Sequence, residues 1–272
     1  METLKGKELI LHALLRAYGR VALGFSGGVD STLLLRVALD VLGPGNVLAV
    51  IADTPSLPRK ELAEALRLAE TMGTECVVVD PGELNDPDYA ANPADRCYFC
   101  KKRLFGCIAG AAGERGFAQV LDGSNADDAG DYRPGRRAAD ELGVKSPLME
   151  AGLTKAEIRA LSRNAALPTA DKPAMACLAS RIPYGTPVTV GVLAQVERAE
   201  EVLRAAGFAQ CRVRHHGEVA RIEVAIADLP RLLEESVREA VVRGIQAAGY
   251  RYVTLDLQGY RMGSLNEGVR KQ

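Results

Sequence analysis

The stretch "GFSGGVDST", residues 24–32, decides which fold this chain is expected to adopt. It follows an apolar run at 20–25 and leads into a helical pattern, so it joins a strand to a helix. Gly27 and Gly28 allow the backbone to turn sharply and to approach a ligand closely. Backbone N–H groups at a helix start attract an anion, and hydroxyl groups add donors at Ser26, Ser31 and Thr32. The stretch predicts an anion-binding loop, although an ordinary glycine-rich turn would use the same residue types.

The first half of the chain alternates between short apolar runs and helical patterns. Strands that are buried on both faces and separated by helices are typical of βαβ units with a parallel sheet, and right-handed crossovers place helices on both faces. The predicted strands are 20–25, 46–52, 75–80 and 117–123, and the predicted helices are 1–20, 30–43, 58–73, 100–116 and 154–166. The last helix begins with Thr154 and Glu157 in a capping-box pattern. We therefore expect an α/β domain over residues 1–170.

The pattern changes after a proline-rich connector, residues 171–190, which carries Cys177. The remaining stretch, 191–272, reads as helix, two strands, helix and strand, which is the order of a small α+β domain. The predicted helices are 193–207 and 229–249, and the predicted strands are 211–216, 219–225 and 250–257.

The composition argues against several classes of protein. The 272 residues carry 34 basic and 35 acidic side chains, whereas proteins held on nucleic acid by backbone charge are usually basic. No apolar run is long enough to span a bilayer, and the charged first 20 residues read as an amphipathic helix and not as a signal peptide. We expect a cytoplasmic chain that binds neither nucleic acid nor membrane. Its six cysteines are then expected to be reduced core, metal or catalytic residues.

The string SGGVDS (26–31) resembles the SGGxDS loop of the PP-loop ATP pyrophosphatases. It is not a Walker A motif, because the terminal Gly-Lys-Ser/Thr is absent. The resemblance implies a Rossmann-like domain that cleaves ATP to AMP and pyrophosphate, with the loop and Mg²⁺ stabilising the phosphate charge. Asp30 is expected either to help place Mg²⁺ or to cap the helix. Asn125, in "LDGSNADD" (121–128), is expected to line the nucleotide site because open α/β sheets bind ligands where strands end.

Cys97 and Cys100 form a CxxC pair in "RCYFCKK" (96–102). Such a pair is half a zinc site, a redox pair or a chance spacing, and the chain offers no second CxxC. Adding Cys177 gives three thiols, which suits a [4Fe–4S] cluster with one iron left open. Cys107 is a rival third ligand, although a buried apolar role is typical of such a cysteine.

Four strings together resemble the LarE-type sulfur transferases: residues 174–189, 211–224, 131–144 and 255–266. The resemblance implies that Cys177 delivers sulfur to pyridinium-3,5-biscarboxylic acid mononucleotide. The substrate carboxylate is adenylated by ATP and becomes a thiocarboxylate for the nickel-pincer nucleotide. Members of one type sacrifice the cysteine and lack the CxxC thiols; members of the other hold a cluster on three cysteines. Cys97 and Cys100 assign this chain to the cluster type.

The same resemblance implies roles in the second domain. Arg212 and Arg214 are two apart on a predicted strand, so they share a face and could form a phosphate fork or an ordinary solvated face. Substrate contacts are implied for Ser180 and Arg181. Proton transfer or orientation is implied for Glu200 and Glu223, with surface charge as the alternative for Glu200.

Three other functions compete with this one. The first is tRNA thiolation, for which some PP-loop enzymes also use a cluster on three cysteines. The second is amide formation by a PP-loop ligase like the NAD synthases. The third is a nucleotide-binding module without catalysis. The neutral charge argues against the first, the cysteines against the second and the intact loop against the third. The family resemblance also implies a homo-oligomer, specifically a homohexamer.

Overall fold

A computed structural model describes residues 3–130, 134–173 and 176–261 of the chain. The described residues form two compact units. The first comes from Met1–Asp86 and Asp95–Met175, and the second from Pro87–Ala94 and Ala176–Gln272. The boundaries expected at residues 170 and 190 stay a prediction. None of the described helices is long and apolar enough to cross a membrane.

The strands are β1 (Val21–Gly24), β2 (Val47–Ala52), β3 (Glu75–Val79), β4 (Gln119–Leu121), β5 (Cys211–His216), β6 (Val219–Val224) and β7 (Tyr252–Leu255). The helices are α1 (Leu4–Tyr18), α2 (Val29–Leu42), α3 (Arg59–Thr71), α4 (Pro87–Ala90), α5 (Arg96–Gly113), α6 (Pro134–Glu141), α7 (Pro147–Glu150), α8 (Lys155–Asn164), α9 (Val190–Ala205), α10 (Leu229–Leu233) and α11 (Glu235–Ala247).

The first unit is built on a four-stranded parallel sheet in the order β3-β2-β1-β4. Alternate residues of β2 pack into different clusters: Ala49 and Ile51 join α1, α2 and α8, whereas Leu48 and Val50 join α5 and α6. The sheet is therefore covered by helices on both faces, as its apolar runs predict. The expected α/β class is confirmed.

The carboxyl ends of the strands locate the ligand edge of this sheet. The chain runs from β1 to β2 and β3 on one side and then returns to place β4 on the other side of β1. Open α/β sheets bind ligands at such a switch point. The loop at residues 24–32 follows β1 and lies at this position.

The second unit is a three-stranded sheet in the order β5-β6-β7, with β5 antiparallel and β7 parallel to β6. One face packs Cys211, Val213 and Ile222 against α9 and α11. Because strand side chains alternate between faces, Arg212 and Arg214 share the opposite face, as expected.

Two helix predictions are corrected. The single helix expected over 229–249 is two helices, because Glu234 adopts an extended ψ of 133° and ends the first of them. The helix expected from Cys100 begins at Arg96, so Cys97 and Cys100 lie on one helix, α5.

Candidate active site

The loop after β1 is shaped by its glycines. The N–H of Phe25 donates to Val50 O, which keeps the start of the loop beside β2. Gly27 has a φ of +68°, and an added Cβ would lie 3.0 Å from the Ala65 Cβ. Gly28 is the N-cap of α2 and makes no side-chain cap, so it leaves the first amides of α2 to other acceptors. Only glycine satisfies the conformation and the packing at position 27.

Two serines hold the loop in this shape. The Ser31 hydroxyl donates to Gly28 O at 3.2 Å and lies 3.1 Å from the Ser26 hydroxyl. The Ser26 N–H points at the same Ser31 oxygen at 3.4 Å. Thr32 is fully buried, and its hydroxyl has no hydrogen-bond partner among the described residues, so it belongs to the packing below the loop. The loop is preformed, with Ser26 exposed beside it.

Asp30 connects the loop to two other segments. Its Oδ1 accepts from Asn125 Nδ2 at 3.2 Å, and its Oδ2 pairs with Lys155 Nζ. Asn125 is 3% exposed and follows β4, so the structure brings these two predicted nucleotide-site residues together. Asp30 therefore connects α2 to the loop after β4. Its side chain does not cap α2, because its hydrogen bonds go to Asn125 and Lys155.

Two lysines of this site escaped the sequence analysis. Lys155 pairs with Asp30, and Lys172 Nζ lies 3.4 Å from Gly27 O, 2.6 Å from Glu61 and 3.0 Å from Glu64. Burial opposes the charge of Lys172, but hydrogen bonds to the two glutamates outweigh it and raise the pKa of its ammonium group. A lysine near a glycine-rich loop is a weak sequence signal, and only the fold brings these lysines to the loop.

Each of the six cysteines carries a thiol, but the surroundings of these thiols differ. Burial raises the pKa of Cys76, and it raises the pKa of Cys211 to about 11. Both are therefore poor thiolates and fit structural roles. Cys107 is half-buried, with its Sγ 3.9 Å from Asp80 O.

Cys97 and Cys100 lie one turn apart on α5, which puts them on one side of the helix. Cys97 and Cys177 are exposed, and Cys100 is half-buried. Two thiols one turn apart are a suitable donor pair for iron, but Cys177 belongs to the other unit. Within the three described ranges, no group of three His, Cys, Asp or Glu side chains is arranged to hold a metal ion. The cluster stays a prediction.

The peptide that carries Cys177 is held by Arg181. Arg181 is 2% exposed and pairs with Glu200 through Nε at 2.8 Å and Nη2 at 3.1 Å. Its Nη1 donates to Ala176 O at 2.7 Å and to Cys177 O at 2.9 Å. The Ser180 hydroxyl donates to the same Cys177 O at 2.8 Å. The backbone beside the thiol is thereby fixed, while the thiol is exposed.

Glu200 is the centre of that network. It is 0% exposed and accepts from Arg181, from Arg204 Nη2 at 2.7 Å and from Val213 N at 3.2 Å. The alternative of an ordinary surface charge is wrong, because α9 turns this carboxylate towards β5. Its hydrogen bonds come from charged or backbone donors, an arrangement that suits orientation better than proton transfer.

A second buried pair lies on the sheet. Arg214 donates to Glu223 through Nε at 3.0 Å and Nη2 at 2.8 Å, and its Nη1 donates to Ser180 O at 2.8 Å. Glu223 also accepts from Arg221 Nη2 at 3.1 Å. The fork of Arg214 is therefore already engaged by a carboxylate.

Arg212 differs from Arg214. Its Nη1 donates to Cys211 O at 2.7 Å, and its guanidinium lies 5.2 Å from the centre of the Tyr260 ring. Burial, followed by the nearby cation of Arg181, lowers the pKa of Arg212. Among the described residues, no carboxylate lies within ion-pair distance of Arg212. An anionic ligand would balance the charge of Arg212, whereas Glu223 already balances the charge of Arg214.

Asn92 is a further residue that the sequence analysis missed. It is fully buried with a φ of +58°, and its Nδ2 donates to Pro183 O and Thr186 O, each at 2.8 Å. Gly185 N donates back to Asn92 O at 2.9 Å. Asparagine tolerates this left-handed conformation. Its hydrogen bonds join the segment 87–94 to the part of the connector that lies after Cys177.

A parallel sheet with an SGGxDS loop after an inner strand defines a PP-loop ATP pyrophosphatase. The family model described as NAD synthase matches residues 10–87, which include this loop and three strands. A protein of Lactiplantibacillus plantarum named pyridinium-3,5-bisthiocarboxylic acid mononucleotide synthase is 41% identical over 100% of this chain and 98% of its own length. The chain belongs to the LarE-type family of ATP-dependent sulfurtransferases, as the sequence strings predict.

Other relatives separate the shared loop from the rest of the chain. An uncharacterised protein of Synechocystis sp. is 44% identical over 93% of this chain and 94% of its own length. The NH3-dependent NAD+ synthetase of Aeropyrum pernix is 46% identical over 21% of each chain. Similarity to that synthetase is confined to a short part, whereas similarity to the LarE-type protein extends through both units.

Proposed function

We propose that this chain makes pyridinium-3,5-bisthiocarboxylic acid mononucleotide from the corresponding biscarboxylic acid. ATP adenylates a substrate carboxylate, pyrophosphate leaves, and sulfur then displaces AMP to give a thiocarboxylate. The observation that supports this most strongly is the full-length similarity to the L. plantarum synthase together with an intact SGGVDS loop.

The first unit supplies the activation step. The amides after Gly27 and Gly28, with the Ser26 and Ser31 hydroxyls, bind the pyrophosphate part of ATP. Asp30 and Asn125 form the oxygen-rich edge where Mg²⁺ would bind and share the phosphate charge. Carboxylate and amide oxygens are the ligand type that Mg²⁺ prefers, so these residues fit the ion once the Lys155 ammonium group has left Asp30.

Sulfur is delivered at Cys177, with Cys97 and Cys100 as further ligands of a [4Fe–4S] cluster. A cluster held by three thiolates has one iron that can carry a replaceable sulfide. Two observations support this set of ligands. Cys97 and Cys177 are exposed, and Cys97 and Cys100 lie one turn apart on α5. Cys107 is the alternative third ligand, although its thiol lies against Asp80 O.

The second unit holds the substrate. Arg212 binds the phosphate of the mononucleotide, because its charge has no carboxylate partner among the described residues. Arg181 and Glu200 orient the peptide that carries Cys177. Arg214 and Glu223 orient the sheet face on which they lie. Ser180 lies between the two networks: its hydroxyl reaches Cys177 O, and its carbonyl accepts from Arg214.

The chain also works in the cytoplasm as a homo-oligomer, with six copies as the implied assembly. Light scattering coupled to size-exclusion chromatography measures the number of copies directly. A monomer at all protein concentrations would contradict this part of the proposal.

The proposed activity is tested by analysing the products formed from ATP. Purified protein with ATP, Mg²⁺ and the biscarboxylic mononucleotide should form AMP and pyrophosphate only when the mononucleotide is present. Asp30→Asn should reduce AMP formation, and Asp40→Asn on the exposed side of the same helix is the matched control. Release of ADP and phosphate would contradict the proposal.

A further inference from the structure

Four residues close a ring of hydrogen bonds beside the loop at residues 24–32 of the first unit. Asn125 Nδ2 donates to Asp30 Oδ1 at 3.2 Å, and the Asp127 N–H donates to Asn125 Oδ1 at 3.0 Å. The Lys155 N–H donates to Asp127 Oδ2 at 2.9 Å, and Lys155 Nζ closes the ring on Asp30 Oδ2. The ring links the starts of α2 and α8 with the loop after β4.

Lys155 occupies an unusual place for a cation. It is the first residue of α8, where the aligned peptide dipoles favour acids and disfavour positive charge. Thr154 and Glu157 cap this end through both halves of a capping box, so the backbone of Lys155 is fixed. The side chain is 33% exposed and is held by the Asp30 carboxylate.

This arrangement conflicts with metal binding at Asp30. One carboxylate oxygen accepts from an amide and the other is paired with an ammonium group. A divalent cation at the same oxygen would lie within a few ångströms of the ammonium, where two like charges repel strongly. A cation can enter only if Lys155 leaves.

We infer that Lys155 pairs with Asp30 in the nucleotide-free protein and so competes with a divalent cation for that carboxylate. When a cation binds Asp30, the Lys155 side chain moves and its ammonium group pairs with an ATP phosphate oxygen. The inference rests on the proposed use of ATP at this loop. Lys155 then makes metal and nucleotide binding mutually dependent: the metal releases the lysine, and the phosphate accepts it. Differential pairing of this kind is the physical requirement for coupling between two ligands.

The test measures binding of Mn²⁺ alone, without nucleotide, by electron paramagnetic resonance. Mn²⁺ prefers the same oxygen ligands as Mg²⁺. Lys155→Met should bind Mn²⁺ about tenfold more tightly than the unchanged protein, since one competing charge-assisted hydrogen bond is removed. ATP binding at saturating Mg²⁺ should weaken about tenfold in the same variant, because a phosphate partner is lost, whereas ATP binding in EDTA should change little, because Lys155 stays paired with Asp30 there.

Three further variants make the result specific. Lys7→Met removes another lysine–carboxylate pair, at 2.8 Å from Glu157, without touching Asp30, and should leave Mn²⁺ binding unchanged. Lys155→Met with Asp30→Asn should abolish the gain. Lys155→Gln carries the same charge change and replaces Lys155→Met if that variant does not fold.

The inference is overturned if neutralising Lys155 leaves Mn²⁺ affinity unchanged, or if the gain persists without the Asp30 carboxylate. That result together with normal formation of AMP and pyrophosphate would leave the proposed function standing. A gain in Mn²⁺ affinity with no substrate-dependent AMP would instead contradict the proposed function.

Discussion

The loop at residues 24–32 of the first unit and the arginine networks of the second unit present hydrogen-bond donors in different ways. The loop offers backbone amides and serine hydroxyls, preformed by Gly27 and by hydrogen bonds within the loop. The second unit buries full charges: Arg181 is 2% and Arg214 is 5% exposed, and each faces a fully buried glutamate. The amide donors of the loop point where the turn itself directs them, whereas the role of an arginine depends on the partner that the fold places beside it. Sequence motifs therefore identify the loop more securely than the arginines.

The largest expected effect comes from breaking the Glu200 network. Glu200→Gln should lower the free energy of unfolding by about 3–5 kcal/mol, because it leaves the buried Arg181 without its carboxylate. Urea titration followed by circular dichroism measures the change. Glu201→Gln, on the exposed side of α9, should change stability by less than about 0.5 kcal/mol. Equal effects of the two variants would contradict the buried network.

The next effect separates Arg214 from Arg212. Arg214→Met should cost about 3 kcal/mol of stability, because Glu223 loses its bidentate partner. Arg212→Met should cost about 1 kcal/mol, from one hydrogen bond and a ring contact. Affinity for the substrate mononucleotide should show the larger change in Arg212→Met, about tenfold or more.

Calorimetric titration of the folded variants measures that affinity. Equal losses of stability from the two arginine changes would show that the pairing of Arg214 does not distinguish it. Unchanged mononucleotide binding in Arg212→Met would remove its phosphate role.

A smaller effect depends on pH and concerns the end of α8. Hydrogen bonds from Lys7 and from the Thr154 backbone lower the pKa of Glu157. Its contribution to stability is therefore full above the unfolded pKa of about 4.3 and is lost as the pH falls through the lower folded pKa. Glu157→Gln should cost about 1 kcal/mol at neutral pH.

Urea titrations from neutral pH into the acid range follow this difference between Glu157→Gln and the unchanged protein. The two should converge at the acid end. A difference that stays constant at all pH values would mean that the charge of Glu157 does not contribute.

The contrast between the two units explains what the sequence could predict. Short apolar runs located the strands, and helical patterns located most helices, because those patterns follow from which faces are buried. Helical periodicity could also have excluded the surface alternative for Glu200, which lies four residues after Val196 and three before Leu203 on the buried face of α9.

Other parts of the site depend on distant contacts that no local pattern encodes. Lys155 and Asp30 are paired although 125 positions separate them in the sequence. Asn92 donates to Pro183 O, which lies 91 positions later. The motif at 24–32 predicted an anion site, but not the lysine that occupies its carboxylate. Long-range pairs of this kind become visible only when the fold brings two segments together.

Isotopic labelling of the sulfide decides whether the sulfur comes from a replaceable atom on a cluster or from the side chain of Cys177. The protein is reconstituted anaerobically and allowed several turnovers with ATP, the mononucleotide and isotopically heavy sulfide, and both product and protein are then weighed by mass spectrometry. We expect a thiocarboxylate that carries the heavy sulfur and a protein of unchanged mass. The double variant Cys97→Ala with Cys100→Ala should form no product. A product without the label, formed while Cys177 becomes dehydroalanine in equal amount, would contradict it.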